Sequence, residues 1–168
     1  MYKKILDLIK KVFNNHFELS VSITAIFIIV LAIVIDSLFS LQACPLCILT
    51  RYVFGLVAVS GFITILIRKK YLGYILIVIS SIVGLLVTSR QIYIQNMSIE
   101  EIAELLGCGM PFHTQVEWYG IIEAINRTLS GGPSCAEDGL RFLFNFAEWG
   151  FIFFFVYFVA TIFKLRNG

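Results

Sequence analysis

Charge is what this chain has least of. Only 14% of its 168 residues are Asp, Glu, Lys or Arg, where an ordinary soluble domain carries about a quarter. Hydrophobic residues make up 59% and the mean hydropathy is +0.90, so an ordinary soluble domain is excluded. Histidine is scarce: His16 and His113 are the only two, and neither lies in a pattern that marks an acid-base residue. Cysteine is limited to four positions, whose spacing lacks the two paired knuckles of a structural zinc site, so no metal centre is expected. No small-residue cleavage site precedes Asp36. The first apolar block is also longer than the apolar centre of a signal peptide, and it is read as retained.

What the chain does have is four apolar blocks, Leu19 to Phe39, Ile48 to Ile67, Leu72 to Thr88 and Leu143 to Phe163. Each is about as long as a helix must be to cross roughly 30 Å of hydrocarbon. Backbone amides find no water there, so four helices are the simple solution, and a soluble fold would leave almost no sequence to cover them. The expected fold is all-α: an integral membrane four-helix bundle, one domain over residues 1–168, with a short interfacial helix in its second outer loop. The third block is the shortest. Gly55 and Gly61 in the second block and Gly73 and Gly84 in the third offer small surfaces for close helix contact.

Basic residues set the orientation. Lys3, Lys4, Lys10 and Lys11 precede the first block, Arg68, Lys69 and Lys70 fill the second turn, and Lys164 and Arg166 follow the last, nine of the 13 in all. The positive-inside rule puts that side in the cytoplasm. Both termini are then inside, and the outer loops span about 36–47 and 89–141. All four cysteines then face outward. Phe13 and Phe17 are expected at the inner interface, and Asp36 as a stop for the first helix.

The second loop has internal order. Ser98-Ile99-Glu100-Glu101 is a capping box, followed by a short helix through Leu106 that Gly107 ends beside Cys108. Thr114-Gln115-Val116-Glu117 repeats the pattern. Behind it Trp118, Ile121, Ile122, Ile125 and Leu129 recur at helical spacing, as in a helix lying along a membrane surface or packed on the bundle. Gly131-Gly132-Pro133 closes this element and delivers Cys135.

Cys44-Pro45-Leu46-Cys47 stands where the second block enters the membrane. Two cysteines at this spacing can close a disulfide, and one thiolate can be trapped by its neighbour. Cys47 lies at a helix start, where unpaired amides favour an anion, and Arg51 adds a cation one turn on. A thiolate beside an arginine at the edge of hydrocarbon suits a hydrophobic electron acceptor such as a quinone. Two static disulfides are the plain alternative in this compartment, but they leave the placement of Cys47 over Arg51 without a purpose.

On these residues the chain resembles the bacterial inner-membrane disulfide bond formation protein B family, quinone reductases that reoxidise a periplasmic dithiol oxidase. The likeness rests on four spans, the outward Cys-Pro-Leu-Cys-Ile-Leu-Thr-Arg at 44–51, Cys108, and Cys135-Ala136. It implies that Cys44, Cys47, Cys108 and Cys135 are catalytic. By resemblance Cys108 forms the mixed disulfide with a thioredoxin-like oxidase, Cys135 pairs with it at rest and carries electrons to Cys44, and Cys47 meets the quinone beside Arg51. Arg90, at the outer end of the third span, is a further candidate for the quinone region. The implied cofactor is ubiquinone or menaquinone. The partners are the oxidase, membrane lipid and quinone, with no nucleic acid, and the chain is expected to be a monomer. Leu140 takes the place of the family's tryptophan after Cys135, and the lead into the last helix departs from the pattern around Leu143-Phe144 and Phe146-Ala147. Trp149 partly restores an aromatic there.

Two other readings compete. A four-span scaffold with static disulfides, in the manner of tetraspanins, would carry Cys-Cys-Gly in its large loop, where this chain has Gly107-Cys108-Gly109. A vitamin K epoxide reductase-like quinone enzyme would carry its Cys-x-x-Cys at a later span.

Overall fold

The computed structural model describes residues 16–39, 44–66, 70–103, 110–132, 135 and 145–167. Cys108, the basic residues before His16, and the departures at 136–144 lie outside the described residues. Seven helices are described, numbered here in chain order: α1 Phe17–Phe39, α2 Pro45–Leu66, α3 Lys70–Gln95, α4 Ile99–Ala103, α5 Phe112–Tyr119, α6 Ile121–Ser130 and α7 Phe146–Asn167. Four of them, α1, α2, α3 and α7, are long and apolar enough to cross a membrane.

The four long helices run alternately up and down. Helix α2 packs on α1 and α3, and α3 packs in turn on α7. Lipid tails are as apolar as leucine, so contact between such helices is won by close backbone approach and buried hydrogen bonds. Gly61 lies against Ser22 of α1, Gly73 against Thr64 of α2, and Gly84 against the Phe154 ring of α7, each too close for a Cβ. Gly55 has open space where its Cβ would stand, so that member of the expected set makes no helix contact. Ser22 Oγ donates to the Ala58 carbonyl across the α1–α2 interface at 2.9 Å. The Phe54 and Phe154 rings stack with centroids 4.1 Å apart, a geometry worth about 0.5–1.5 kcal/mol beyond burial.

At one end of the bundle Tyr74 Oη donates to the buried Glu18 carboxylate at 2.6 Å, and Lys70 stands 3.7 Å from it. This ties α1 to α3. Phe17 is buried against Tyr74, edge to face with ring centroids 6.1 Å apart.

The third block is the shortest apolar run but forms the longest helix, 26 residues. It continues past Thr88 because its inward stripe goes on. Gly84, Val87, Thr88, Gln91 and Ile94 are all buried, and Gln91 and Gln95 find polar partners at the far end. Gln95 Oε1 accepts from Asn145 Nδ2 at 3.0 Å. Asn145 and Glu148 form a capping box at the start of α7, with Glu148 N–H donating to Asn145 Oδ1 at 2.8 Å and Asn145 N–H to Glu148 Oε2 at 2.9 Å.

The capping box at Ser98 is present: Glu101 Oε2 accepts from the Ser98 amide at 3.0 Å and Glu101 N–H donates to Ser98 Oγ at 3.4 Å. The single helix expected from Thr114 is instead two. Helix α5 begins at Phe112 after Pro111, without a side-chain cap, and breaks from α6 at Gly120, whose φ of 79° favours glycine. Phe112, Gln115, Ala124 and Thr128 of the pair are buried, and Trp118, Tyr119, Ile121 and Ile122 are exposed. The pair therefore contacts the rest of the protein through one face and keeps a large apolar face outward, as an interfacial helix requires.

Candidate redox site

The site grows from the start of α2. Pro45 takes the first helical position, where its missing amide proton and fixed φ are no disadvantage. Cys44 becomes the N-cap: its carbonyl accepts from Ile48 N–H at 3.1 Å, and its sulfur accepts the otherwise unpaired Cys47 N–H at 3.2 Å. Capping thus brings the two side chains together, and the sulfurs stand 2.8 Å apart with Cys44 donating to Cys47.

Cys135 reaches the same place from the second loop. It is 2% exposed, packs with Cys44, Leu46, Val87 and Ile94, and its N–H donates to the Gly132 carbonyl at 2.9 Å. Hydrogen bonding with Cys135, then with Cys47, then burial, pushes the Cys44 thiol above its ordinary value. Cys44 is therefore the sulfur that touches both neighbours, and it is more buried than Cys47. Since alkylation proceeds through the thiolate, iodoacetamide is expected to modify reduced Cys44 at least tenfold more slowly than Cys47 between pH 7 and 9. Peptide mass spectrometry of timed samples checks this, and equal rates would contradict the assignment.

Two residues that sequence reasoning did not place at the site complete it. Gln91 of α3, 2% exposed, donates from Nε2 to Cys47 Sγ at 3.1 Å and lies 3.8 Å from Cys44 Sγ. Its signal was available: it continues the inward stripe of α3 by one turn from Val87 and Thr88. Asp36 of α1 forms an ion pair with Arg51. Arg51 is one turn beyond Cys47, and this pair fixes its head group. The Arg51 side chain is still 23% exposed, and a guanidinium has five N–H donors, so donors remain beyond those facing Asp36.

Arg90 points elsewhere. Its Nε donates to the Leu129 carbonyl at 3.0 Å and a terminal nitrogen to the Ser130 carbonyl at 3.2 Å, both at the end of α6. The structure therefore brings together Cys44, Cys47 and Cys135 with Gln91, sets Arg51 one turn along α2, and turns Arg90 to the loop helix.

Such a cluster can move electron pairs by thiol-disulfide exchange, since attack needs one sulfur in reach of another and a stabilised leaving sulfur. The Gln91 amide and the start of α2 both face Cys47 Sγ, so charge developing on that sulfur would be stabilised. The residues that could hold a hydrophobic electron acceptor are half-buried Cys47 and, one turn on, Arg51, with apolar Leu49 and Val87 packed in the same cluster as Cys47.

Comparison with known proteins agrees with this chemistry. A family model described as disulfide bond formation protein DsbB matches residues 14–164. The chain is 29% identical over 138 residues to "Disulfide bond formation protein B" of Polaromonas sp. (strain JS666 / ATCC BAA-500), covering 80% of each chain. It is 32% identical over 133 residues to the protein of that description in Psychrobacter sp. (strain PRwf-1), covering 70% of this chain and 75% of the relative. To its counterpart in Polaromonas naphthalenivorans (strain CJ2) it is 32% identical over 118 residues, 68% of each. No solved structure matches the chain at comparable stringency.

Proposed function

The chain belongs to the disulfide bond formation protein DsbB family, and from that premise we propose the route its electrons take. It is a quinone-linked disulfide oxidoreductase. Its dithiol substrate is a periplasmic thioredoxin-like oxidase, which it returns to the disulfide form, and its electron acceptor is membrane ubiquinone or menaquinone. The end of the bundle that carries the cysteines faces the periplasm, the basic end and both termini face the cytoplasm, and the outer segments are those joining α1 to α2 and α3 to α7.

A thiolate of the reduced partner attacks Cys108 of a Cys108–Cys135 disulfide, making a mixed disulfide on Cys108 and freeing Cys135. The partner's second thiolate resolves that bond and leaves oxidised, releasing Cys108. Cys135 attacks Cys44 of the Cys44–Cys47 disulfide. A Cys44–Cys135 bond forms, the Cys44–Cys47 bond breaks, and the electron pair goes to Cys47, held by the Gln91 amide and the helix start. Cys108 then attacks Cys135, which restores the loop pair and leaves Cys44 as a thiol beside Cys47. When bound, a quinone supplies the oxidant for that dithiol, taking the two electrons and two protons given up as the pair closes again. Arg51, steadied by Asp36, orients the head group.

The observation that carries this reading is the contact of Cys135 with Cys44 while Cys44 also touches Cys47. Purified protein in lipid nanodiscs, given quinone and a reduced periplasmic dithiol oxidase, is expected to form one quinol per dithiol oxidised, and Cys108→Ser to form none. A scaffold with static disulfides would form no quinol in either case. Unchanged turnover in Cys108→Ser would remove that residue from the route.

A further inference from the structure

Near its end, one turn before the last, α3 presents adjacent side chains to the two halves of the cysteine relay. Gln91 bonds the sulfurs at the start of α2, whereas Arg90 bonds the carbonyls of Leu129 and Ser130 at the end of α6. A helix ends with carbonyls that have no partner within it and with a negative dipole end. A guanidinium satisfies both needs, because its rigid fork can donate to two acceptors at once. The Arg90 head also lies 5.3 Å from the Tyr93 ring centroid one turn along α3, which restricts where it can swing.

The chain between this clamp and Cys135 is short and itself bonded. Gly131, buried and at a φ of 82°, donates to the Thr128 carbonyl at 3.1 Å, and the carbonyl of the buried Gly132 accepts from Cys135 N–H at 2.9 Å. At their other end the loop helices are held by the Phe112 ring against Tyr52 of α2, centroids 5.9 Å apart. Buried Gln115 and Thr128 join α5 to α6 at 3.5 Å.

From this arrangement we infer that Arg90 is a positioning residue that clamps the end of α6 and so holds Cys135 over Cys44, setting the rate and equilibrium of exchange between the two cysteine pairs. The inference rests on the proposed relay and adds a residue that acts through the loop, not on the quinone. Without the clamp Cys135 is tethered but free to wander, and the effective concentration of its sulfur at Cys44 falls.

The test measures that effective concentration directly. In a Cys47→Ser/Cys108→Ser background only Cys44 and Cys135 remain. The protein in lipid nanodiscs is equilibrated in glutathione buffers and its disulfide fraction read by alkylation and mass spectrometry. Adding Arg90→Met is expected to lower the equilibrium constant for the Cys44–Cys135 bond at least tenfold, equivalent to about 30 mV for a two-electron couple. Arg90→Lys, a point charge unable to make the two-carbonyl fork, is expected to fall between. In a Cys108→Ser/Cys135→Ser background the Cys44–Cys47 constant is expected to stay within twofold of its value with Arg90 present. The inference is overturned if Arg90→Met leaves the Cys44–Cys135 constant within twofold, or if it shifts the Cys44–Cys47 pair equally. If Arg90→Met does not fold, Arg90→Lys decides, and a constant equal to that with Arg90 overturns the clamp. Neither measurement contains quinone or partner, so failure of the proposed function would appear in the turnover assay and failure of the clamp here.

Discussion

Cys44→Ser is expected to bring quinol formation from a reduced dithiol oxidase down to the uncatalysed background. Among the described sulfurs, Cys44 is the one that meets both Cys47 at 2.8 Å and Cys135. A serine oxygen keeps the helix cap, since serine is a favoured N-cap residue, but it can form no disulfide. The fold should therefore persist while the relay is cut in the middle. The signature is a split result: one equivalent of partner dithiol is still oxidised by the Cys108–Cys135 bond, and then nothing follows. Stopped-flow absorbance of quinone, alongside alkylation of the partner, separates the two events. Continued quinol formation would show that electrons bypass Cys44. Loss of even the first equivalent would show that Cys44 is needed for the loop pair itself.

The second large effect is expected at Arg51. A hydrogen bond from a charged group contributes about 1.5–3 kcal/mol, so Arg51→Ala should raise the KM for quinone roughly ten- to hundredfold. Exchange between the cysteine pairs should remain measurable, because Arg51 lies one turn from the sulfurs and is paired with Asp36. Truncating the arginine also strands a half-buried carboxylate, a loss that concerns the protein alone. Asp36→Asn separates the two. It keeps the cation and an acceptor oxygen, and its KM should stay well below that of Arg51→Ala. Kinetics across a quinone concentration series distinguish the variants. A normal KM in Arg51→Ala would remove Arg51 from the quinone site, and an equal rise in Asp36→Asn would mean that holding the guanidinium matters as much as having it.

Much of this was legible in the residues. Four apolar blocks had to become helices because no other arrangement satisfies amides in hydrocarbon, and four long apolar helices are present. The Cys-Pro-Leu-Cys motif carried its own geometry, with cap, first-turn proline and third-position amide in consecutive residues. The box at Ser98 was equally local. Where the reading went astray, a distant contact or a single turn of backbone decided. Helix α3 outran its apolar block because polar side chains at its end are taken up by the start of α7 and by the sulfurs. The loop helix broke in two at Gly120, where the chain turns with a positive φ that periodicity does not register.

Sequence alone determined the class of the protein, its number of spans and the pairing of Cys44 with Cys47 at a helix start, because those follow from composition and from partners within a few residues of one another. Tertiary structure alone decided which distant groups complete the site. That Asp36 faces Arg51, that Gln91 reaches Cys47 and that Arg90 serves the loop helix depend on the packing of three separate helices and the lie of a long loop. Each is a contact between residues far apart in the chain, set by helix rotation and crossing rather than by spacing.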